Sequence, residues 1–167
     1  MIRQLHVTYG SKQILNQIRA NYPERHLLVL SPSTSSLDNL QMLDVSGEEN
    51  IFSSGVSYDI VNYHGTPNWR GFFNYTFITI NPDRKPVFDK LIEQWFNQDK
   101  PEGMIAALVL RKHGDASNDY VVLTTWQMPQ QWRRWKSSDN YFFKPYANEA
   151  YINLHETNYE FQQEFIK

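Results

Sequence analysis

The stretch Gly71-Phe72-Phe73-Asn74-Tyr75-Thr76-Phe77-Ile78-Thr79-Ile80 decides the fold of this chain. β-Branched and aromatic residues dominate it, and the turn residues Asn81-Pro82-Asp83 follow it, which predicts a β-strand with a defined end. Asn74 is the exception in this apolar run. A buried carboxamide without hydrogen-bond partners costs about 1–3 kcal/mol, so either the fold or a ligand must satisfy it.

Strand alternation divides this stretch into two faces. Asn74 shares one face with Phe72, Thr76 and Ile78. The alternate face is aromatic and consists of Phe73, Tyr75 and Phe77. We expect Asn74 to face an internal cavity and the aromatic face to lie under the helix that follows.

Composition limits the class of protein. With 167 residues, 41% of them hydrophobic, the chain can form one ordinary domain or two half-size ones. A net charge of −2 argues against binding nucleic acid or anionic membranes by charge. The absence of cysteine excludes disulfides, thiolate metal sites and cysteine nucleophiles. Because no apolar run is long enough to cross a membrane and no signal segment opens the chain, we expect a cytoplasmic protein without membrane insertion.

The first half of the chain reads as strand, helix, strand, strand. Alternating residues Ile2–Tyr9 predict a strand, Ser11 begins a helix, and Leu27–Leu30 and Leu37–Val45 predict two further strands. Breakers surround a short apolar segment in residues 46–70, and we place the boundary between two halves, 1–66 and 67–167, near Pro67.

The second half repeats this order more clearly. Asp83 begins a helix whose apolar residues are Val87, Phe88, Leu91, Ile92, Trp95 and Phe96. Strands follow at Met104–Leu110 and Tyr120–Trp126. A helix begins at Pro129, a further helical stretch runs to about Ala150, and Tyr151–Tyr159 supplies a last strand. This order predicts an α+β, ferredoxin-like fold.

Three segments carry a resemblance to a known family: Phe72–Phe77, Leu123–Trp126 and Trp135–Asp139. They resemble the antibiotic-biosynthesis-monooxygenase (ABM) superfamily, whose members form dimeric α+β barrels. The chain is most similar to the haem-degrading monooxygenases and to a long, two-part branch that includes the target of RNAIII-activating protein. Val7–Gly10 and Leu27–Leu30 extend the resemblance over the first half. It implies a dimeric barrel or a pseudo-dimeric one in which residues 1–66 cover the second sheet, packed sheet on sheet, in a monomer.

The resemblance also implies a site. The family's strand asparagine corresponds to Asn74 and its strand-end tryptophan to Trp126, which we treat as the candidate catalytic residues. The family histidine that ligates haem iron falls on Pro145, so haem is possible only with another ligand or none. Candidate cofactor-binding residues are Tyr146, His155 and Arg133. No metal-binding motif occurs among the histidines.

Each candidate also has an ordinary structural interpretation. Asn74 could tie two backbone groups together, and Trp126 could plug a barrel mouth rather than press on a planar ligand. Trp132 and Trp135 share a helix face and fit a hydrophobic core. The basic residues of that helix, Arg133, Arg134 and Lys136, could hold carboxylates or simply face solvent, and His155 could be solvent-facing.

Three functions remain open. The first is an oxygenase of the haem-degrading type, and the second is a cofactor-free oxygenase of a polycyclic phenol or quinol. The third is a non-enzymatic ligand-binding or signalling protein on the same barrel. The expected partner is a small aromatic or porphyrin ligand. If the Pro145 segment faces the cavity, Pro145→His should improve the retention of haem.

Overall fold

The computed structural model describes residues 1–33, 39–147 and 153–162. These residues form eight strands, three α-helices and two short 3-10 turns, at Pro82–Arg84 and Lys144–Tyr146. In chain order the elements are β1 (Gln4–Gly10), α1 (Lys12–Asn21), β2 (Leu27–Pro32), β3 (Leu40–Asp44), β4 (Val56–His64), β5 (Phe72–Thr79), α2 (Lys85–Phe96), β6 (Met104–Lys112), β7 (Asp119–Trp126), α3 (Pro129–Lys136) and β8 (Leu154–Phe161). No helix among the described residues is long and apolar enough to cross a membrane.

The predicted α+β, ferredoxin-like order is confirmed, with local differences. Residues 46–70, where breakers surround a short apolar segment, contain β4, and β8 continues to Phe161. The prediction of a helix after Asp139 is wrong as far as Ala147, where the structure has only a 3-10 turn. Just past the end of α3, the Ser138 hydroxyl donates to the Trp135 carbonyl oxygen at 2.7 Å, which closes the helix there. The rest of that prediction and the start of the predicted last strand fall on 148–152, outside the described residues.

All eight strands pair antiparallel into one closed barrel, in the order β1-β3-β2-β8-β5-β7-β6-β4. The strands before and after residue 67 meet edge to edge at two seams. At one seam β4 pairs with β6, and at the other Leu30–Pro32 of β2 pair with Tyr159–Phe161 of β8. The predicted α+β barrel is therefore confirmed, and its two sheets also join at their edges, because the free backbone groups of the edge strands pair with each other.

Hydrophobic side chains form three layers. The barrel interior collects residues from strands on both sides of residue 67, including Leu5, Leu43, Phe73 and Leu123. Outside the barrel, α2, α3 and the segment after α3 cover the β5–β7–β6 face, and α1 covers the β2–β3 face. β5, β6 and β7 are thus buried on both sides along most of their length, whereas β8 is half-exposed.

β5 has the opposite orientation from the one that the sequence suggests. Phe72 and Ile78, on the Asn74 face, lie under the helices with Phe88 and Trp95. The alternate residues Phe73, Tyr75 and Phe77 lie inside the barrel. On α2, Val87 and Leu91 were predicted to be buried, but they are 59% and 37% exposed, because only the stripe of Phe88, Ile92 and Trp95 faces the sheet.

Gly71 fixes the start of β5. Its φ is +86°, and a Cβ at this position would lie 2.2 Å from the Trp126 carbonyl oxygen. Only glycine combines this left-handed conformation with so close an approach. The turn thereby sets the register in which Phe72 pairs with Trp126.

Tyrosines and a glutamine form a hydrogen-bonded network inside one end of the barrel. The Tyr75 hydroxyl donates to Gln41 Oε1 at 2.8 Å, Gln41 Nε2 donates to the Tyr9 hydroxyl at 3.1 Å, and Tyr159 is hydrogen-bonded to Tyr9. Burial raises the pKa of Tyr75, and burial together with Tyr9 raises the pKa of Tyr58 and of Tyr159 to about 12. In the folded protein these phenols therefore remain protonated and uncharged at neutral pH.

We expect stability to fall at high pH because of these phenols. A phenol that ionises at about 12 when folded but at about 10 when unfolded stabilises the fold fully below pH 10. That contribution is lost as the pH rises from about 10 towards 12. Urea unfolding across this range should show a shallower pH dependence in Tyr58→Phe, with the exposed Tyr63→Phe as control. An unchanged slope in Tyr58→Phe would contradict this account.

The two seams predict the behaviour of the second half alone. A fragment of residues 67–167 loses β4 as the partner of β6 and β2 as the partner of β8, and it exposes its half of the barrel interior. We expect it to dimerise or aggregate, as measured by light scattering after size-exclusion chromatography. A monodisperse, folded monomer of this fragment would show that the halves do not depend on each other.

Candidate functional site

A buried polar strip crosses the helix-covered face of the barrel. Asn74 on β5 pairs in register with Asn158 on β8 and Thr124 on β7. Asn74 Nδ2 donates to Asn158 Oδ1 at 2.7 Å, and Thr76 Oγ1 donates to Asn74 Oδ1 at 2.9 Å. Asn74 is 1% exposed. Both ends of its amide therefore have hydrogen-bond partners in the side chains of neighbouring strand residues.

Trp126 lies at the end of β7 on the same face and is completely buried. Its Nε1 donates to Thr124 Oγ1 at 2.8 Å, and its ring centroid lies 5.4 Å from that of Trp135. Thr124 thus connects Asn74 with Trp126, since it is the cross-strand neighbour of Asn74 and its hydroxyl accepts the hydrogen bond from the Trp126 indole. The face that would press on a planar ligand is covered by another indole.

The tryptophans of α3 fill the space above this strip, as their shared helix face predicts. Trp135 stacks on Trp95 with centroids 5.6 Å apart, and Trp132 packs against Phe72 at 5.3 Å. The Nε1 atoms of both α3 tryptophans are buried without a hydrogen-bond partner among the described residues. An unsatisfied buried donor costs about 1–3 kcal/mol. The packing of these two indoles must therefore offset the loss of one hydrogen bond each.

A cavity of about 300 Å³ lies beside the strip. Residues of β5, β8, α3 and the segment after α3 line it: Thr76, Lys136, Tyr141, Ala147, Leu154, His155 and Glu156. Thr76 connects the cavity to the strip, because its hydroxyl donates to Asn74. The residue of β5 that faces the cavity is therefore Thr76, two positions beyond Asn74.

Charge in this cavity comes from one pair. Lys136 Nζ contacts Glu156 Oε1 at 2.5 Å and lies 5.2 Å from the centre of the Trp132 ring. Burial, with a smaller effect from the Glu156 charge, raises the pKa of Tyr141 well above its usual range. Tyr141 therefore presents a neutral phenol that can donate a hydrogen bond to an anion.

The predicted cofactor-binding residues are not brought together. Arg133 is exposed on α3, while Lys136, four residues after Trp132, turns towards the cavity. Tyr146 is buried against Phe88 and Phe142, with ring centroids 5.9 and 6.2 Å away. Helical spacing from Trp132 was the signal that could have identified Lys136.

Two further positions differ from the sequence prediction. Pro145 is exposed and does not line the cavity, whereas Ala147 does. His155 is exposed at the cavity rim and stacks on Phe77 with centroids 4.7 Å apart and ring planes 5° apart. Its ring packs against a residue whose side chain belongs to the barrel interior.

These residues do not fit a haem held by iron ligation. Haem iron needs one axial ligand, and the imidazole that the described residues place at this cavity, His155, is stacked on Phe77. Burial disfavours the phenolate of Tyr141 that iron would need, and the indole of Trp126 is covered by Trp135. The cavity suits an organic ligand that is held by hydrogen bonds and by contact with apolar side chains.

The polar strip predicts a stability effect. Asn74→Ala leaves the Asn158 oxygen and the Thr76 hydroxyl without their partner, so we expect a loss of about 1–3 kcal/mol in the free energy of unfolding. Asn140→Ala, at an exposed position, should cost less than about 0.5 kcal/mol. Urea unfolding monitored by tryptophan fluorescence measures both. Equal effects of the two substitutions would show that the strip adds no stability.

Comparison with known proteins places this geometry in context. No protein-family profile matches the chain. It is 30% identical over 86 residues to the signal transduction protein TRAP of Staphylococcus epidermidis, a match covering 52% of this chain. The match covers about half of the length of the curated relative (49%).

Solved structures resemble the whole fold. A ferredoxin-fold protein of Listeria monocytogenes, related to antibiotic biosynthesis monooxygenases, superposes with a TM-score of 0.76 at 16% identity, over 97% of this chain and 95% of that one. The haem-degrading enzyme LmHde of Listeria monocytogenes gives a TM-score of 0.73 at 15% identity, over 96% and 100% of the two chains. The chain thus has the ferredoxin-like barrel fold of proteins related to the antibiotic biosynthesis monooxygenases, as its sequence resemblance predicts.

Proposed function

We propose that the protein is a non-enzymatic ligand-binding protein on an ABM-type barrel, and that its biological role is in signalling. The observation that carries this proposal is the composition of the cavity wall. Thr76 and Ala147 line the cavity, while Asn74 lies behind Thr76 with its amide satisfied, and Pro145 faces away. A haem oxygenase needs an iron ligand in this wall, and the imidazole that the described residues place there, His155, is stacked on Phe77 instead.

The cavity favours a small aromatic ligand with an acidic group. Its volume of about 300 Å³ is at the lower end of the range for small-molecule pockets. Leu154 and Ala147 give it an apolar side, and Lys136 and Tyr141 present donors. Thr76 presents an acceptor, because its hydroxyl proton is donated to Asn74. An acidic ligand would take the place of Glu156 on Lys136, which offers a charge-assisted hydrogen bond. In this proposal Asn74 orients the Thr76 hydroxyl and Trp126 supports the α3 tryptophans from below.

The signalling role rests on the name of the staphylococcal relative, a signal transduction protein, and on a site that holds a ligand without an evident means of transforming it. The proposal also takes the two halves, 1–66 and 67–167, as one pseudo-dimer, because β4–β6 and β2–β8 already provide the partner strands that a second subunit would bring.

A second candidate is a monooxygenase without haem, of the kind that acts on a phenol or quinol. One observation favours it: the hydrogen-bonded pair Asn74–Thr76 ends at the cavity wall. Because its own proton is donated to Asn74, the Thr76 hydroxyl could accept the proton of a phenolic O–H and so orient a phenol or quinol in the cavity. Consumption of oxygen with a bound phenol would support this candidate, and ligand binding without oxygen uptake supports the first.

Haemin titration tests the absence of an iron ligand. The unmodified protein should give no ligation-dependent shift of the Soret band, and added reductant under air should cause no bleaching beyond that of free haemin. Ala147→His should produce a shift, because it adds an imidazole to the cavity wall, while the matched Pro145→His should not. Tight binding and bleaching by the unmodified protein would overturn the proposal and restore the haem-degrading reading.

A further inference from the structure

The barrel interior contains a second cavity, separate from the one under the helices. It has a volume of about 210 Å³ and lies at the end of the barrel where β5 ends and β7 and β8 begin. Interior-facing residues of five strands form it: Tyr58, Phe77, Lys112, Asp119, Val121 and His155. The interior of an eight-stranded barrel is just wide enough to hold side chains or one small ligand.

Strand register explains how these residues meet. His155, Phe77 and Val121 are direct cross-strand neighbours on β8, β5 and β7. Tyr58 and Lys112 are likewise paired on β4 and β6. The first row gives the cavity a flat, apolar wall in which the His155 and Phe77 rings are nearly parallel. The second row adds a phenol and an ammonium group.

The hydrogen-bonding groups of this cavity are unequally used. Asp119 Oδ1 already accepts from Thr79 Oγ1 at 2.7 Å, and so its charge is partly satisfied. The side chains of Tyr58, Lys112 and His155 make no hydrogen bond to another described residue. The Tyr58 phenol remains neutral because burial raises its pKa to about 12. A second carboxylate, Asp115, also lines the cavity, and its Oδ1 accepts from the Ser117 backbone N–H at 2.8 Å. The donors at this cavity are therefore without partners among the described residues, while each of the two carboxylates already accepts a hydrogen bond.

Size and chemistry together define a ligand. A dry cavity of about 150 Å³ accepts a benzene molecule, so the volume here suits one substituted aromatic ring. The flat wall of Phe77 and His155 favours stacking with such a ring. Free donors on Tyr58 and Lys112 favour an anionic substituent.

We propose that this end of the barrel is a binding site for a small aromatic carboxylate. The ring lies against Phe77 and Val121, and the carboxylate accepts hydrogen bonds from the Tyr58 hydroxyl and the Lys112 ammonium. His155 closes one side of the site from β8. This site is distinct from the cavity under the helices, with which it shares His155, and it is independent of the function proposed for that cavity.

Benzoate is the probe for this site. Titration into the full-length protein, followed by amide chemical shifts in two-dimensional NMR, should give saturable changes at the interior ends of β4, β5 and β7, with a Kd of about 1 mM or tighter. Benzylamine carries the same ring with a positive charge and should not saturate. Failure of benzoate to saturate at up to about 20 mM, or equal binding of benzylamine, would overturn the proposal.

Variants locate the site. Lys112→Met should weaken benzoate binding about tenfold and Tyr58→Phe about threefold. Lys136→Met, in the other cavity, should leave unchanged the Kd that is read from the amides of β4 and β7, even where benzoate also binds beside Lys136. Val121→Phe should fill the cavity and abolish binding, and an unchanged pattern of dispersed amide signals confirms that it folds. If Lys136→Met weakens binding while Lys112→Met does not, benzoate occupies the cavity under the helices, which contradicts this site and supports the other one.

Discussion

The fold depends on strand pairing at two seams, β4 with β6 and β2 with β8. Without these contacts the chain would hold two open sheets with four edges, each presenting unpaired backbone groups. With them the sheet closes on itself, and every strand acquires an inner and an outer face. β5, β6 and β7 are then buried on both faces, because two helices cover the outside while the barrel encloses the inside.

This closure explains both what the sequence could predict and where it failed. The order of elements follows from local patterns, and alternation correctly groups Asn74 with Phe72, Thr76 and Ile78. Alternation could not assign the groups to the inside or the outside, because both faces of β5 are apolar and both are buried. The pairing of β4 with β6 joins residues about fifty positions apart, and no local pattern encodes it.

The candidate site shows a similar limit. The family positions lie on the strand and in the segment after α3 that border the cavity, but the cavity wall uses Thr76 and Ala147 rather than Asn74 and Pro145. A displacement of two residues along a strand keeps the same face, so the pattern of β5 is equally consistent with either position. The aromatic content of the sequence did predict a large aromatic layer. It did not predict that Trp135 would cover Trp126 and so keep a ligand from its ring.

The arrangement of β8 sets the relation between the two cavities. Glu156 points outwards to Lys136 in the cavity under the helices, while its neighbour His155 stacks on Phe77 at the wall of the interior cavity. Because consecutive residues of a strand face opposite sides, the neighbouring residues His155 and Glu156 contribute to the walls of both cavities. A rotation of β8 about its axis that moves Glu156 away from Lys136 must also move His155 relative to Phe77. The pairing of β8 with β5 along its length resists such a rotation, so the same hydrogen bonds that hold the barrel closed also hold both cavities in shape.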